Sequence, residues 1–167
     1  SLAAYQKFVQ IDLPPELNLL PYRARTSPLQ IGKVDFRDHE EPGDSNLWIT
    51  INQFPKWTTT NRQQFANMLK SEIFDCFQPS KLTLDDTRQL SWEIASQDAR
   101  VMRLKWSLLD GNGADGAQAS EIEQYYSLVD VDQITYGIVL IHRPRETGLN
   151  EDDIQLVFGS LRPPGRP

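Results

Sequence analysis

The sequence of 167 residues is poor in the side chains that most often carry catalysis or covalent crosslinks. Its single cysteine, Cys76, cannot form a disulfide within the chain, so disulfides do not hold the fold together. Histidine occurs only at His39 and His142, and there is no G-x-S-x-G segment. A nucleophilic triad needs a serine or cysteine beside a histidine that a carboxylate orients. The sequence therefore predicts a protein that is not an enzyme.

Long apolar runs and excess positive charge are also lacking. No stretch approaches the roughly 20 apolar residues of a membrane span, and no basic-then-apolar leader opens the chain. The first residue is Ser1 rather than Met, so we leave the compartment open between the cytoplasm and export after loss of a leader. The formal net charge of −6 disfavours an electrostatic hold on nucleic acid. We expect a soluble protein that binds no nucleic acid.

The remaining composition is typical of one globular domain, with 39% hydrophobic and 24% charged residues. No repeat or linker separates two cores, so residues 1–167 are predicted to form a single domain with an extended tail at 162–167. Apolar patterning predicts strands over residues 8–13, 31–36, 47–54, 88–95, 99–109 and 121–129. Residues 134–142 are apolar on both faces, which predicts a central, covered strand. Residues 16–30 are predicted to be irregular. The short connections between strands favour antiparallel pairing.

Two helices are predicted from their capping signals. Thr60 and Gln63 match a T-x-x-Q capping box, and an apolar helical stripe with one polar interruption, at Glu72, follows as far as Cys76. Asn150 is the predicted N-cap of the second helix, which opens with three acidic residues. The predicted fold class is α+β: a mostly antiparallel twisted sheet of about six to seven strands with two main helices packed on it.

One face of this sheet is predicted to mix aromatic and polar side chains and to hold a protein partner. The predicted partner-binding residues are Trp48, Thr50, Phe54, Arg103, Lys105 and Tyr125. The leading functional hypothesis is thus a non-catalytic protein-binding module, an assembly factor or chaperone-like subunit. It requires Trp48, Phe54 and Tyr125 to be adjacent and at least partly exposed. Cover of Trp48 by a helix is the alternative.

The alternative function is binding of a small ligand or a divalent cation, calcium or zinc, by one of two loops; otherwise no cofactor is predicted. The acidic turn 37–46 contains the predicted metal ligands His39, Glu40, Glu41 and Asp44. Carboxylates and imidazole are cation ligands, but a solvated hairpin turn has the same composition. The glycine loop 110–116 contains one G-x-G-x-D unit, and such units bind calcium only when stacked in tandem, so a flexible hairpin loop is the simpler interpretation.

The two remaining reactive side chains have structural interpretations. Cys76 lies on the apolar stripe of its helix, which favours a buried structural thiol over a reactive one. His142 ends an apolar strand immediately before Arg143. It is either a pocket residue or a strand end that meets water, and the second interpretation is favoured.

The order of elements resembles the PsbP-like family, which includes thylakoid PsbP proteins, periplasmic DcrB-type proteins and Ran-binding nuclear-import factors. The matching segments are FVQIDLPP, TTNRQQFANMLKSEIF, VMRLKWSLL, EQYYSLV, YGIVLI and a final helix ending in SLRP. The Eag chaperones of type VI secretion look similar, but their acidic hairpin and glycine loop are shorter. The resemblance implies an α/β/α sandwich with a non-catalytic role in assembly or as a chaperone, and it implies no catalytic residues.

Overall fold

One antiparallel sheet forms the centre of the protein. The computed structural model describes residues 10–14, 17–23, 28–109 and 119–163. Within these residues the strands are β1 (Leu20–Arg23), β2 (Gly32–Arg37), β3 (Leu47–Pro55), β4 (Leu82–Ile94), β5 (Gln97–Leu109), β6 (Ala119–Val131) and β7 (Ile134–His142). They lie in the order β1-β2-β3-β7-β6-β5-β4, and each neighbouring pair is antiparallel. The predicted sheet of about seven strands is confirmed.

The chain order explains this strand order. Two-residue turns join β4 to β5 and β6 to β7, and their central residues Ala95, Ser96 and Asp132 have positive φ, as tight hairpins require. β7 lies between β3 and β6, and from Thr135 to His142 it is buried. A strand with both faces covered is apolar throughout, which is why its sequence shows little alternation.

Within the described parts of the chain, one main helix packs on each face of the sheet. The helices are α1 (Arg62–Ser71), the single turn α2 (Pro144–Thr147) and α3 (Glu151–Gly159). A 3₁₀ turn, Glu72–Asp75, continues α1. We call the two sides the α1 face and the α3 face. Of the described helices, none is long and apolar enough to cross a membrane.

Each face has its own buried apolar cluster. On the α1 face it comprises Trp48, Leu69, Ile73, Phe77, Leu104, Trp106, Leu108, Ile122, Val139 and Ile141. The larger cluster on the α3 face includes Ile49, Ile51, Ile138, Leu140, Ile154 and Phe158. Burial of each large apolar side chain contributes about 1.5–3 kcal/mol, so α3 is held mainly by its Ile154, Val157 and Phe158 stripe.

The helix starts agree with prediction at α3 and differ at α1. Asn150 caps α3 and forms a reciprocal capping box with Asp153, each bond being 2.9 Å. The predicted Thr60–Gln63 box is wrong, because the N-cap of α1 is Asn61, whose side chain accepts from the Gln64 N–H. Thr and Asn are both good caps, and local sequence does not distinguish neighbouring ones.

Three strand predictions at the sheet edges are also corrected. The predicted strand 8–13 is reduced, in its described part, to an isolated bridge between Gln10 and Arg162. Strand β1 lies in a segment predicted to be irregular. β4 begins six residues earlier than the predicted 88–95, because its first half is an exposed edge without an apolar pattern. Residues 164–167 of the predicted tail lie outside the described residues.

Candidate functional site

The three aromatic residues predicted to form an exposed surface are buried. Trp48 is 3%, Phe54 0% and Tyr125 1% exposed. Phe54 packs edge-on against Phe65 of α1, with ring centroids 4.8 Å apart. Tyr125 lies on the opposite face of the sheet and stacks on Trp92 at 5.7 Å. The predicted exposed mixed face is therefore wrong. Trp48 is covered, and Phe77, which follows the 3₁₀ turn after α1, packs edge-on against it with ring centroids 5.5 Å apart.

The other predicted partner-binding residues divide in the same way between the two faces. Thr50 is buried on the α1 face, between Trp48 and Asn52 along β3. Arg103 and Lys105 lie half-buried on the α3 face, where Arg103 contacts Glu151 at 3.2 Å and Asp86 at 3.4 Å. The six residues therefore share no surface. Alternation shows which residues of one strand point to the same side. Which sides of neighbouring strands form one face of the sheet depends on the inter-strand register, and the sequence does not show that register.

The acidic turn does not gather His39, Glu40, Glu41 and Asp44 into a metal site. Within the described part of the chain, no three His, Cys, Asp or Glu side chains are placed to share a metal ion. The turn is instead closed by Asp38, whose carboxylate accepts from the Asn46 N–H at 2.9 Å. The glycine loop 110–116 lies outside the described residues.

A pocket of about 310 Å³ lies on the α1 face where β2, β3 and β7 meet the 3₁₀ turn after α1. We call it the Asp35 pocket. Its lining residues are Lys33, Asp35, Pro42, Trp48, Thr50, Glu72, Asp75, Cys76, Val139 and Ile141. A larger groove of about 440 Å³ lies beside α1, β5 and β6; two of its four charged residues, Arg62 and Asp130, pair with each other at 3.0 Å.

The alternation of β2 brings charged side chains to this pocket. Lys33, Asp35 and Arg37 lie opposite Asn52, Thr50 and Trp48 of β3, while Val34 and Phe36 turn to the other face. The 3₁₀ turn then adds Glu72 above them. The sequence signals for this site are the charged alternation K-V-D-F-R and the single polar residue, Glu72, in the apolar stripe of the first helix.

Asn52 organises a hydrogen-bond network beside the pocket. It is fully buried, and its amide donates to Glu72 Oε1 at 3.1 Å and to the Gly137 carbonyl at 3.2 Å. Its Oδ1 accepts from Gln30 Nε2 at 2.7 Å. Lys33 Nζ lies 3.4 Å from the same Glu72 oxygen. Asn52 thus uses both its donors and its acceptor, as a buried amide should.

Two carboxyl groups in the pocket are disfavoured in their ionised form. Burial raises the pKa of Glu72, although Lys33 and the Asn52 amide lower it in part. Burial likewise raises the pKa of Asp35, although Arg37, Lys33 and a hydrogen bond from the Thr50 hydroxyl lower it in part. Arg37 Nε lies 3.1 Å from Asp35 Oδ2 but is not directed along a hydrogen bond. Asp75 adds to both increases as a nearby negative charge. The fold thus places Asp35 and Glu72 in surroundings that disfavour their ionised form.

Three polar atoms at or beside the pocket are buried without a hydrogen-bond partner among the described residues. They are Asp35 Oδ1, an acceptor, and two donors, the indole Nε1 of Trp48 and Arg37 Nε. Asp75 likewise forms no ion pair with a described residue. An unpaired buried polar group costs about 1–3 kcal/mol, so the unpartnered atoms of Asp35 and Trp48 call for an explanation.

Cys76 and His142 are structural. Burial raises the pKa of the Cys76 thiol far above its usual range, so it stays protonated and is a poor nucleophile, as predicted. His142 is fully buried, so its interpretation as a strand end that meets water is wrong. Its Nδ1 lies 2.8 Å from Thr147 Oγ1 in α2, and Tyr125 donates to the neighbouring Glu123 at 2.7 Å.

Comparison with known proteins gives structural matches of low identity. No protein-family model and no curated protein matches the sequence. One similar structure is a Bacteroides thetaiotaomicron protein, with 9% identity and a TM-score of 0.48 over 93% of this chain and 44% of that one. This chain thus spans under half of that protein. Another is PA94 of Pseudomonas aeruginosa, a protein of unknown function described as a candidate regulator, with 13% identity and a TM-score of 0.42 over 89% of this chain and 98% of that one.

Proposed function

We propose that the protein is a non-catalytic binding domain that holds a small polar molecule in the Asp35 pocket. One observation carries the proposal: Asp35, Glu72 and Trp48 meet at one cavity, and two of them retain a buried polar atom without a partner in the described chain. A core that serves only stability gains nothing from such groups, because burying a charge or an unpaired polar atom is costly. Titratable groups with shifted pKa values in a pocket mark functional sites.

The side chains around the pocket favour binding over chemistry. Its thiol is held protonated, and neither of the two histidines lines it. Glu72 is tied to Asn52 and Lys33 and is therefore poorly placed to exchange protons with a substrate. What remains is a set of fixed donors and acceptors, which is what recognition requires.

The test is a small-molecule screen on the full chain, read by the amide and indole N–H signals in ¹⁵N-resolved NMR spectra. Loss of one indole signal in Trp48→Phe assigns the pocket reporter, and Trp57→Phe assigns a control at a tryptophan that is 78% exposed. We expect bound compounds to shift the Trp48 signal and the amides of Asp35 and Val139 while leaving Trp57 unchanged. Binders that shift only signals remote from the pocket would contradict the proposal.

Binding of a protein partner stays a second proposal, on a different surface from the one predicted. The outer edge of β4 has no strand partner in the described sheet, and exposed Leu84 and Phe74 flank Trp106 on the α1 face. Pairing of another strand with this edge is disfavoured by the charges of Asp85 and Asp86 and by a bulge between Leu84 and Asp86. The side chains of Leu84 and Phe74 are therefore the better contact for a partner.

The order of the elements supports a resemblance to the PsbP-like family. Membership of that family would favour this second function. Partner capture with Leu84→Lys, compared with Leu156→Lys at an equally apolar but remote residue of α3, tests the surface. Loss of a specific partner in the first variant alone is expected. Equal capture by both variants would exclude this surface.

A further inference from the structure

We infer that the Asp35 pocket selects a small organic cation, an ammonium group carried on an apolar body with a nearby oxygen acceptor. This inference rests on the proposed function and names the chemical class of its ligand. It follows from the balance of charge, the unfilled hydrogen bonds and the apolar wall of the pocket.

The side chains around the pocket carry one more carboxylate than cation. Lys33 is paired with Glu72 at 3.4 Å, and Arg37 with Asp35 at 3.1 Å. Asp75, which also lines the pocket, forms no ion pair with any residue that the structure describes. Because three carboxylates face two cations, an added positive charge is attracted and an added negative charge is repelled.

The unfilled hydrogen bonds define two ends of the ligand. The Asp35 carboxylate, whose side chain is 19% exposed, can accept from an ammonium group, and a charge-assisted bond of this kind is stronger than a neutral one. Trp48 Nε1 can donate to an oxygen of the ligand. The indole ring of Trp48 also favours a cation, since tryptophan is the strongest aromatic partner of ammonium groups.

The size and walls of the pocket favour an organic ion over a metal. Val139, Ile141 and Pro42 supply apolar contact, and about 310 Å³ lies at the lower end of the range for small-molecule sites. A metal ion would need at least three converging ligands, and the described residues provide no such group. A small amine with a ring or short alkyl chain matches both the volume and the wall.

Three probes of nearly equal shape separate charge from size: benzylammonium, benzyl alcohol and benzoate. Titration of each into the full chain is followed at the Trp48 indole signal. We expect benzylammonium to bind at least about tenfold more tightly than the other two, the difference that one charge-assisted hydrogen bond makes. If benzyl alcohol or benzoate shifts the Trp48 signal with equal or higher affinity, the inferred ligand class is wrong. The proposed binding function of the pocket would still hold. No shift at the pocket with any probe would count against both.

Charge variants then locate the recognition. Asp35→Asn should weaken benzylammonium about tenfold and leave benzyl alcohol unchanged, whereas Asp98→Asn, an equal loss of charge at an exposed site outside the pocket, should change neither. Asp75→Asn at the exposed rim provides a second variant if Asp35→Asn does not fold, with a loss in the same direction. Unchanged affinity for benzylammonium in whichever of these variants is folded would overturn the inference.

Discussion

The close approach of α1 to the sheet leads to a quantitative prediction at Gly137. A Cβ at this position of β7 would lie 2.8 Å and 3.2 Å from the two methyl carbons of Leu69, where carbon atoms prefer about 3.5–4.0 Å. Leu69 is fully buried, so its methyl groups have no free space to enter. Overpacking costs about 1–3 kcal/mol, and replacing glycine within a strand returns about 0.5–1 kcal/mol. The Gly137→Ala variant should therefore lose about 0.5–2 kcal/mol of unfolding free energy.

The measurement is urea unfolding followed by tryptophan fluorescence, with calorimetry as a second probe. For a chain of this length the loss corresponds to a fall in Tm of about 1–8 °C. Gly159→Ala is the matched control, because its Cβ would meet only the Glu93 carbonyl at 3.5 Å, an ordinary contact at the end of α3. This control should be neutral or slightly stabilising, since alanine is the better helix former.

A double variant tests the cause. Leu69→Ala alone removes a buried side chain and should cost about 2–5 kcal/mol, but it also makes room for a methyl group at position 137. Gly137→Ala combined with Leu69→Ala should therefore be less destabilised than the sum of the two single variants. A stable Gly137→Ala protein, or strictly additive losses, would show that α1 does not pack as closely on β7 as described.

Three further predictions concern the pocket acids, the thiol and the second helix cap. The fold raises the pKa of Asp35 and Glu72, so each acid binds more protons in the folded than in the unfolded chain, and the free energy of unfolding falls as the pH rises through the raised pKa. Asp35→Asn and Glu72→Gln should therefore each be more stable than wild type in urea unfolding at pH 7. Greater stability of the wild type would contradict this. Cys76 should react with iodoacetamide at pH 8 much more slowly in the folded chain than in urea, and equal rates would contradict its burial. Asn150→Ala should cost about 1 kcal/mol by removing the side-chain oxygen that accepts from the Asp153 N–H, whereas Asn67→Ala on the exposed side of α1 should cost little.

The fold was largely predictable because its signals are local. The start of α3 was predicted at Asn150, since a capping box depends on residues three apart. The core strand β7 was predicted at 134–142 from its unbroken apolar run. β4 was half missed, because an exposed edge strand needs no buried side and so leaves no periodic trace.

The site was not predicted, because it depends on contacts distant in sequence. Trp48 was assigned to one surface with Tyr125, yet the register across β7 and β6 places the two on opposite faces. Glu72 reaches Asn52 and Lys33 only after α1 has crossed the sheet. The polar interruption of the helical stripe was visible in the sequence, but its partners were not.

The contrast between Asn52 and its neighbours supports the proposed binding role of the Asp35 pocket. Asn52, two residues from Thr50 on the same face, is fully buried and uses every hydrogen-bonding group that it has. Polar groups in this region can therefore be satisfied, so the free oxygen of Asp35 and the free indole N–H of Trp48 do not reflect generally poor packing. The other unpartnered buried nitrogens of the described residues, in Arg37, Arg103 and His142, lie in side chains already beside a carboxylate. Among the described residues, Asp35 and Trp48 combine an unpartnered buried acceptor and donor with a place in the lining of a cavity, which is the arrangement that a bound molecule would complete.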